Sequence, residues 1–119
     1  MKTAVRKRKW YLGGPVPMRV IKKFARDVVE RFHPEKIVLF GSQAYGTPNE
    51  DSDVDIMVVM QARNTLDMAA KISIDIDPPF SLDIIVRRPR KLAGYLERGQ
   101  SFHTEVMKKG KVLYDRGHS

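Results

Sequence analysis

"LFGSQAYGTPNEDSDVDIMVV", residues 39–59, sets two apolar runs on either side of a polar connection. The first run stops at Gly41-Ser42. The second begins at Asp53-Val54-Asp55. The pattern predicts a short, wholly apolar strand over 37–40 and a turn opening into a brief helical segment over 41–46. A loop over 47–50 follows, then a central strand over 54–60 that is apolar on both pleat faces. Alternate residues of a strand share a face, about 6.6–6.8 Å apart, so Asp53 and Asp55 are neighbours at one strand end. Two carboxylates that close raise each other's pKa and cost stability unless a cation joins them.

Mg²⁺ takes oxygen ligands octahedrally, commonly one or two carboxylates with water and phosphate completing the shell. A carboxylate pair at a strand end is half of such a cage. A third carboxylate would allow two ions about 3.5–4 Å apart, activating an attacking oxygen and neutralising a leaving one. Asp83 in SLDIIV is the best candidate: it lies inside an apolar strand over 82–86, where a lone carboxylate would need a partner. Asp75 and Asp77 repeat the Asp-x-Asp spacing but run into Pro78-Pro79 and read as solvated. Gly41-Ser42 supplies the other half. Backbone N–H groups at the start of a helical turn favour phosphate, Gly41 permits close approach, and the Ser42 hydroxyl can donate to a phosphate oxygen. Each signal is weak alone, since most Gly-Ser pairs are turns and most Asp-x-Asp pairs are caps. Together each supplies what the others lack.

The rest of the chain fits one α/β unit with a mixed sheet. At 119 residues there is material for one domain: a basic leader over 1–15 and a single domain over 16–119. Ile21, Phe24, Ala25, Val28, Val29 and Phe32 recur at helical spacing, Pro17 suits the first turn and His33-Pro34 ends it. Asn64 can cap a helix from Thr65, yet Ile72, Ile74 and Ile76 alternate with period two, so 65–77 reads either way. Short helices over 91–98 and 102–109 precede an edge strand over 112–114.

Net charge is +8, unevenly spread. Residues 1–40 hold 11 Lys/Arg against 3 acids, residues 41–80 hold 2 against 7, and residues 81–119 hold 9 against 4. An acidic centre between basic flanks suits a polyanion that arrives with divalent cations, although a solubilising surface gives the same counts. With no Cys there is no disulfide framework or thiolate metal site, and a reducing compartment, the cytoplasm, is the natural fit. No apolar run approaches the ~20 residues of a membrane span, and the basic start lacks the apolar segment of a signal peptide. The phosphate loop GxxxxGK[ST] is absent. Three scattered histidines do not make a zinc site: His33 reads as a helix-end residue, His103 as surface and His118 as tail. Tyr95 and Tyr114 read as packing residues. Met57, Met60 and the apolar C-terminal segment suit core or a homo-oligomer surface equally.

Gly41-Ser42, ten residues, then Asp53-Val54-Asp55 resembles the G-S-x10-D-x-D signature of the DNA polymerase β-like nucleotidyltransferases. Asp83 matches the family's third carboxylate, and the short length and the closing EVMKKGKVLYD resemble its minimal members, the MNT proteins. The likeness spans roughly residues 18–115. It implies the polymerase β-like fold, with helices packed on a mixed sheet, and two-metal transfer of a nucleoside monophosphate from an NTP. Gly41 and Ser42 would hold the triphosphate. Asp53 and Asp55 would ligate both Mg²⁺ ions, and Asp83 would ligate one and draw the acceptor's proton. Many members carry basic residues after the serine, as in G-S-R-A-R-G. Gln43 and Tyr45 stand there in this chain, so triphosphate binding is expected to lean on Arg63, Arg87 or Arg88.

Short members of the family are commonly paired with a helical HEPN toxin, one of whose tyrosines they AMPylate. The resemblance therefore implies a HEPN-type partner, ATP as donor and an antitoxin role. A stand-alone transferase to a small hydroxyl compound such as an antibiotic would be expected to carry an extra helical domain. A non-catalytic nucleotide-binding subunit would bind metal and NTP without turnover. A nucleic-acid module would rest on the leader KTAVRKRKW, with Trp10 and Tyr11 for stacking, though a basic leader is more often a solvated tail.

Overall fold

The structure, a computed structural model, describes residues 16–46 and 53–118. The basic leader over 1–15 and the loop expected over 47–50 lie outside the described residues. Helix α1, Met18–Phe32, buries Ile21, Phe24, Ala25 and Val28, the stripe that its spacing announces. Pro17 opens it by accepting at its carbonyl from the N–H of Val20 at 3.0 Å and of Ile21 at 3.3 Å. His33 closes it at a left-handed φ of 52°, donating its N–H to the Val29 carbonyl, and Pro34 prevents continuation.

Four strands form one mixed sheet in the order β3-β2-β1-β4. Strand β1, Lys36–Phe40, pairs antiparallel with β2, Val54–Val59, and with β4, Lys111–Asp115. Strand β3, Leu82–Arg87, runs parallel to β2. A parallel pair needs a long crossover, and helix α3, Thr65–Ile76, provides it. That resolves the ambiguous segment. Asn64 caps the helix through its Oδ1, which accepts from the Asp67 N–H at 3.0 Å. Ala69 and Ile72 face the core, and Ile74, which a strand would have paired with Ile72 on one face, is exposed.

Alternation divides the sheet into two faces. Ile37, Leu39, Val54, Ile56, Val58 and Val86 pack toward α1 and α3. Val38, Met57 and Val59 pack toward helices α4, Pro89–Glu97, and α5, Ser101–Lys109. Strand β2 is thus covered on both sides, as its composition predicts. Strand β3 is not the buried strand expected: it is an edge, and Asp83 on it is exposed. Gly110 turns α5 back into β4 so tightly that a Cβ there would lie 2.7 Å from Val38 Cγ1. A short helical segment, α2, Ser42–Tyr45, follows β1. Among the described residues no helix is long and apolar enough to cross a membrane.

Candidate active site

The two ends of the sheet are chemically unlike. Phe40, the last residue of β1, stands opposite Asp55 on β2, and Asp55 stands opposite Asp83 on β3. Residues directly opposite in a sheet share a face and lie about 4.5–5.5 Å apart. Asp55 and Asp83 are therefore neighbours on the face that carries Val38 and Met57, at the end where the chain leaves β1 for Gly41. Asp53 precedes the buried Val54, so strand alternation turns it to the same face as Asp55, and its Oδ1 is buried. The carboxylates expected to act together do gather at one sheet end. For Asp83 it is the register, and not burial inside the sheet, that brings it there.

Gly41 fixes the second half. Its φ of 76° and ψ of −161° fall in a region essentially reserved for glycine. Asp55 Oδ2 occupies the position that a Cβ at residue 41 would take. The cradle between β1 and α2 is therefore closed by the Asp55 carboxylate itself. The Gly41 carbonyl accepts from the N–H groups of Ala44 at 3.0 Å and Tyr45 at 3.1 Å. The earlier amides of the turn, on Ser42 and Gln43, have no acceptor within it. Gln43 Oε1 accepts from the Val16 N–H at 3.3 Å, tying the turn to the entry of α1.

Carboxylates and a serine hydroxyl offer only oxygen ligands, beside a turn whose backbone N–H groups favour anions, which fits a hard divalent cation carrying phosphate. Among the described residues no three acidic or histidine side chains stand close enough to hold one ion as they are. The backbone positions are what the strands hold in place.

The arginines expected to hold a triphosphate lie elsewhere. Arg87 pairs with Val59, at the opposite end of β3 from Asp83. Its Nε donates to His103 Nε2 at 2.9 Å and its Nη1 to the Val86 carbonyl at 3.1 Å. Arg88 donates from Nε to the Ala62 carbonyl at 2.7 Å and from Nη2 to the Arg63 carbonyl at 2.6 Å. It thereby staples the loop after β2, including Arg63, at that far end. Asp75 and Asp77 lie at the end of α3: Asp75 meets Lys71 at 3.3 Å, and Asp77 caps that helix at a φ of 50°.

His103 is not the surface residue its sequence context implies. It is only 5% exposed. Gln100 Oε1 accepts from its backbone N–H at 2.9 Å and lies 2.7 Å from its Nδ1, and Tyr95 stacks on it at 4.2 Å. With Nδ1–H directed to Gln100, Nε2 is left as the acceptor for Arg87, so the imidazole is neutral. Burial first, and then the Arg87 charge, holds its pKa below the ordinary 6.5. Only the Gln-x-x-His spacing across a helix start hinted at this cluster, and the partner on β3 could not be read from local pattern.

Comparison with known proteins identifies the family. The nucleotidyltransferase domain family matches residues 21–113, and the chain belongs to that family. Two proteins of Methanocaldococcus jannaschii, each named a "putative protein adenylyltransferase", are similar to it. One is 34% identical over 73 residues, covering 58% of this chain and 73% of the relative. The other is 29% identical over 100 residues, covering 81% and 96%. A crystal structure of "a putative nucleotidyltransferase from Sulfolobus solfataricus" shares the fold, with a TM-score of 0.57 at 21% identity, over 84% of this chain and 81% of that one. The chain is thus a nucleotidyltransferase by class. Members of this family normally use a nucleoside triphosphate and a divalent metal.

Proposed function

We propose that the protein transfers AMP from ATP to a hydroxyl of a partner protein, at the sheet end that carries Asp53, Asp55 and Asp83. The observation that carries the reading is the in-register row Phe40–Asp55–Asp83 beside Gly41, whose missing side chain is replaced by the Asp55 carboxylate. The protein acceptor is supported by the names of the two archaeal relatives.

In this reading Gly41 and Ser42 bind the triphosphate through backbone amides and the Ser42 hydroxyl. Asp53 and Asp55 would hold both Mg²⁺ ions, and Asp83 one of them. The chemistry the ions supply when bound is neutralisation of phosphate charge and acidification of the acceptor hydroxyl. Asp83, exposed at the sheet edge, takes the hydroxyl proton as the acceptor oxygen bonds to the α-phosphorus. The bond from that phosphorus to the bridging oxygen breaks, and pyrophosphate leaves. The partner is a HEPN-type toxin silenced by AMP on a tyrosine, which makes this protein the antitoxin of the pair, acting in the cytoplasm.

The test is to combine the protein with Mg²⁺, ATP labelled at the α-phosphate, and the product of the neighbouring gene. Label bound covalently to the partner, and lost with Asp53→Asn or Asp55→Asn, is the expected result. Tight NTP binding without transfer to any partner would indicate instead a subunit that masks its partner by contact.

A further inference from the structure

Phe102 stands at the second position of α5 with 42% of its surface exposed. Its ring meets Phe40 at 5.7 Å between centroids and 84° between planes. Phe40 is the residue opposite Asp55. Phe102 thus packs on the cross-strand neighbour of Asp55, at the sheet end that carries the carboxylates.

The ring has two aromatic neighbours, both edge-on. The next residue, His103, is buried, bonded to Gln100 and Arg87 and stacked on Tyr95. His103 meets Phe102 at 85°, so neither aromatic neighbour lies parallel to it. Among the described residues, the other exposed large apolar side chains lie on other elements. Leu66 and Ile74 lie on α3, which packs the opposite face of the sheet, Val112 is on the edge strand β4, and Tyr45 is on α2.

We propose that Phe102 is the platform on which the base of the bound nucleotide stacks. The proposal deepens, and rests on, the reading of this sheet end as a nucleotide site. Stacking uses the π-face that every base has and not the hydrogen-bonding edge, so Phe102 does not by itself distinguish one base from another.

Equilibrium binding of ATP and of inorganic tripolyphosphate, each with Mg²⁺, tests this on the wild type, Phe102→Ala, Phe102→Leu and Phe102→Tyr. Base–aromatic stacking predicts that Phe102→Ala and Phe102→Leu weaken ATP binding roughly 5- to 150-fold and leave tripolyphosphate unchanged, while Phe102→Tyr binds both normally. Phe102→Leu keeps apolar cover over Phe40, so a packing defect would spare it. Unchanged ATP affinity in Phe102→Ala and Phe102→Leu, or equal losses for ATP and tripolyphosphate, overturns the platform alone. A wild type that binds neither ligand overturns the nucleotide site and the platform with it.

Discussion

Asp55 and Asp83 face one another across the parallel pair β2–β3, two like charges on adjacent strands. Such a pair opposes folding by a few tenths of a kcal/mol unless something bound between the carboxylates reverses the sign. Without divalent metal, Asp83→Asn should therefore unfold at the same temperature as the wild type or slightly higher. Mg²⁺ with ATP should raise the melting temperature of the wild type and leave Asp83→Asn nearly unmoved. Thermal unfolding in EDTA and in Mg-ATP checks both halves.

Gly41→Ala meets two penalties at once. The φ of 76° and ψ of −161° strain any side-chain-bearing residue by about 1–3 kcal/mol, and the new methyl displaces the Asp55 carboxylate. The variant should lose stability in that range and also lose metal-nucleotide binding. Denaturant unfolding and nucleotide titration on the same preparation would show whether both occur.

Arg88 is spent on the Ala62 and Arg63 carbonyls at the end of the sheet away from the carboxylates. Arg88→Ala should cost about 1–3 kcal/mol of stability and leave affinity for Mg-ATP within twofold at a temperature where it is folded. A large loss of nucleotide affinity at unchanged stability would restore the triphosphate role suggested by the chain's departure from the G-S-R-A-R-G pattern.

His103 makes stability depend on pH. Its pKa in the folded protein lies below the ordinary 6.5, through burial and then Arg87. Between the two values the unfolded chain binds more protons, so stability rises with pH through that window and levels off above about 6.5. Falling pH protonates the imidazole, which removes the acceptor of Arg87 Nε and sets two cations together. Tyr95 stacks on the ring, and Arg98 lies over Tyr95 at 5.5 Å, a further positive charge facing the cluster from α4. Chemical denaturation from pH 5 to 7.5 should show this rise in the wild type and a flatter profile in His103→Gln.

How much of this was legible in the chain follows from how local each signal is. The α1 stripe, the turn at Gly41, the doubly covered β2 and the Asn64 cap are all set by neighbours a few residues apart, and the structure keeps them to within a residue or two. The period-two isoleucines left 65–77 open because Ile72 and Ile76 also fit a helix, and the need to connect parallel strands decides between the two. The placement of Asp83 beside Asp55 depends on a pairing of residues 28 apart in sequence, so no local pattern reveals it. The same holds for the burial of His103, whose acceptor role requires Arg87 from another element, and for the arginines, whose distance from the carboxylates follows from strand direction.

The central claim is that Asp53, Asp55 and Asp83 jointly hold the metal-nucleotide. Crystals grown with Mn²⁺ and a non-hydrolysable ATP analogue test it most directly, through the anomalous signal of manganese. Two manganese peaks should lie between these three carboxylates, with the triphosphate against Gly41 and Ser42. Manganese and nucleotide bound elsewhere, with the Asp83 carboxyl turned away from both, would contradict it.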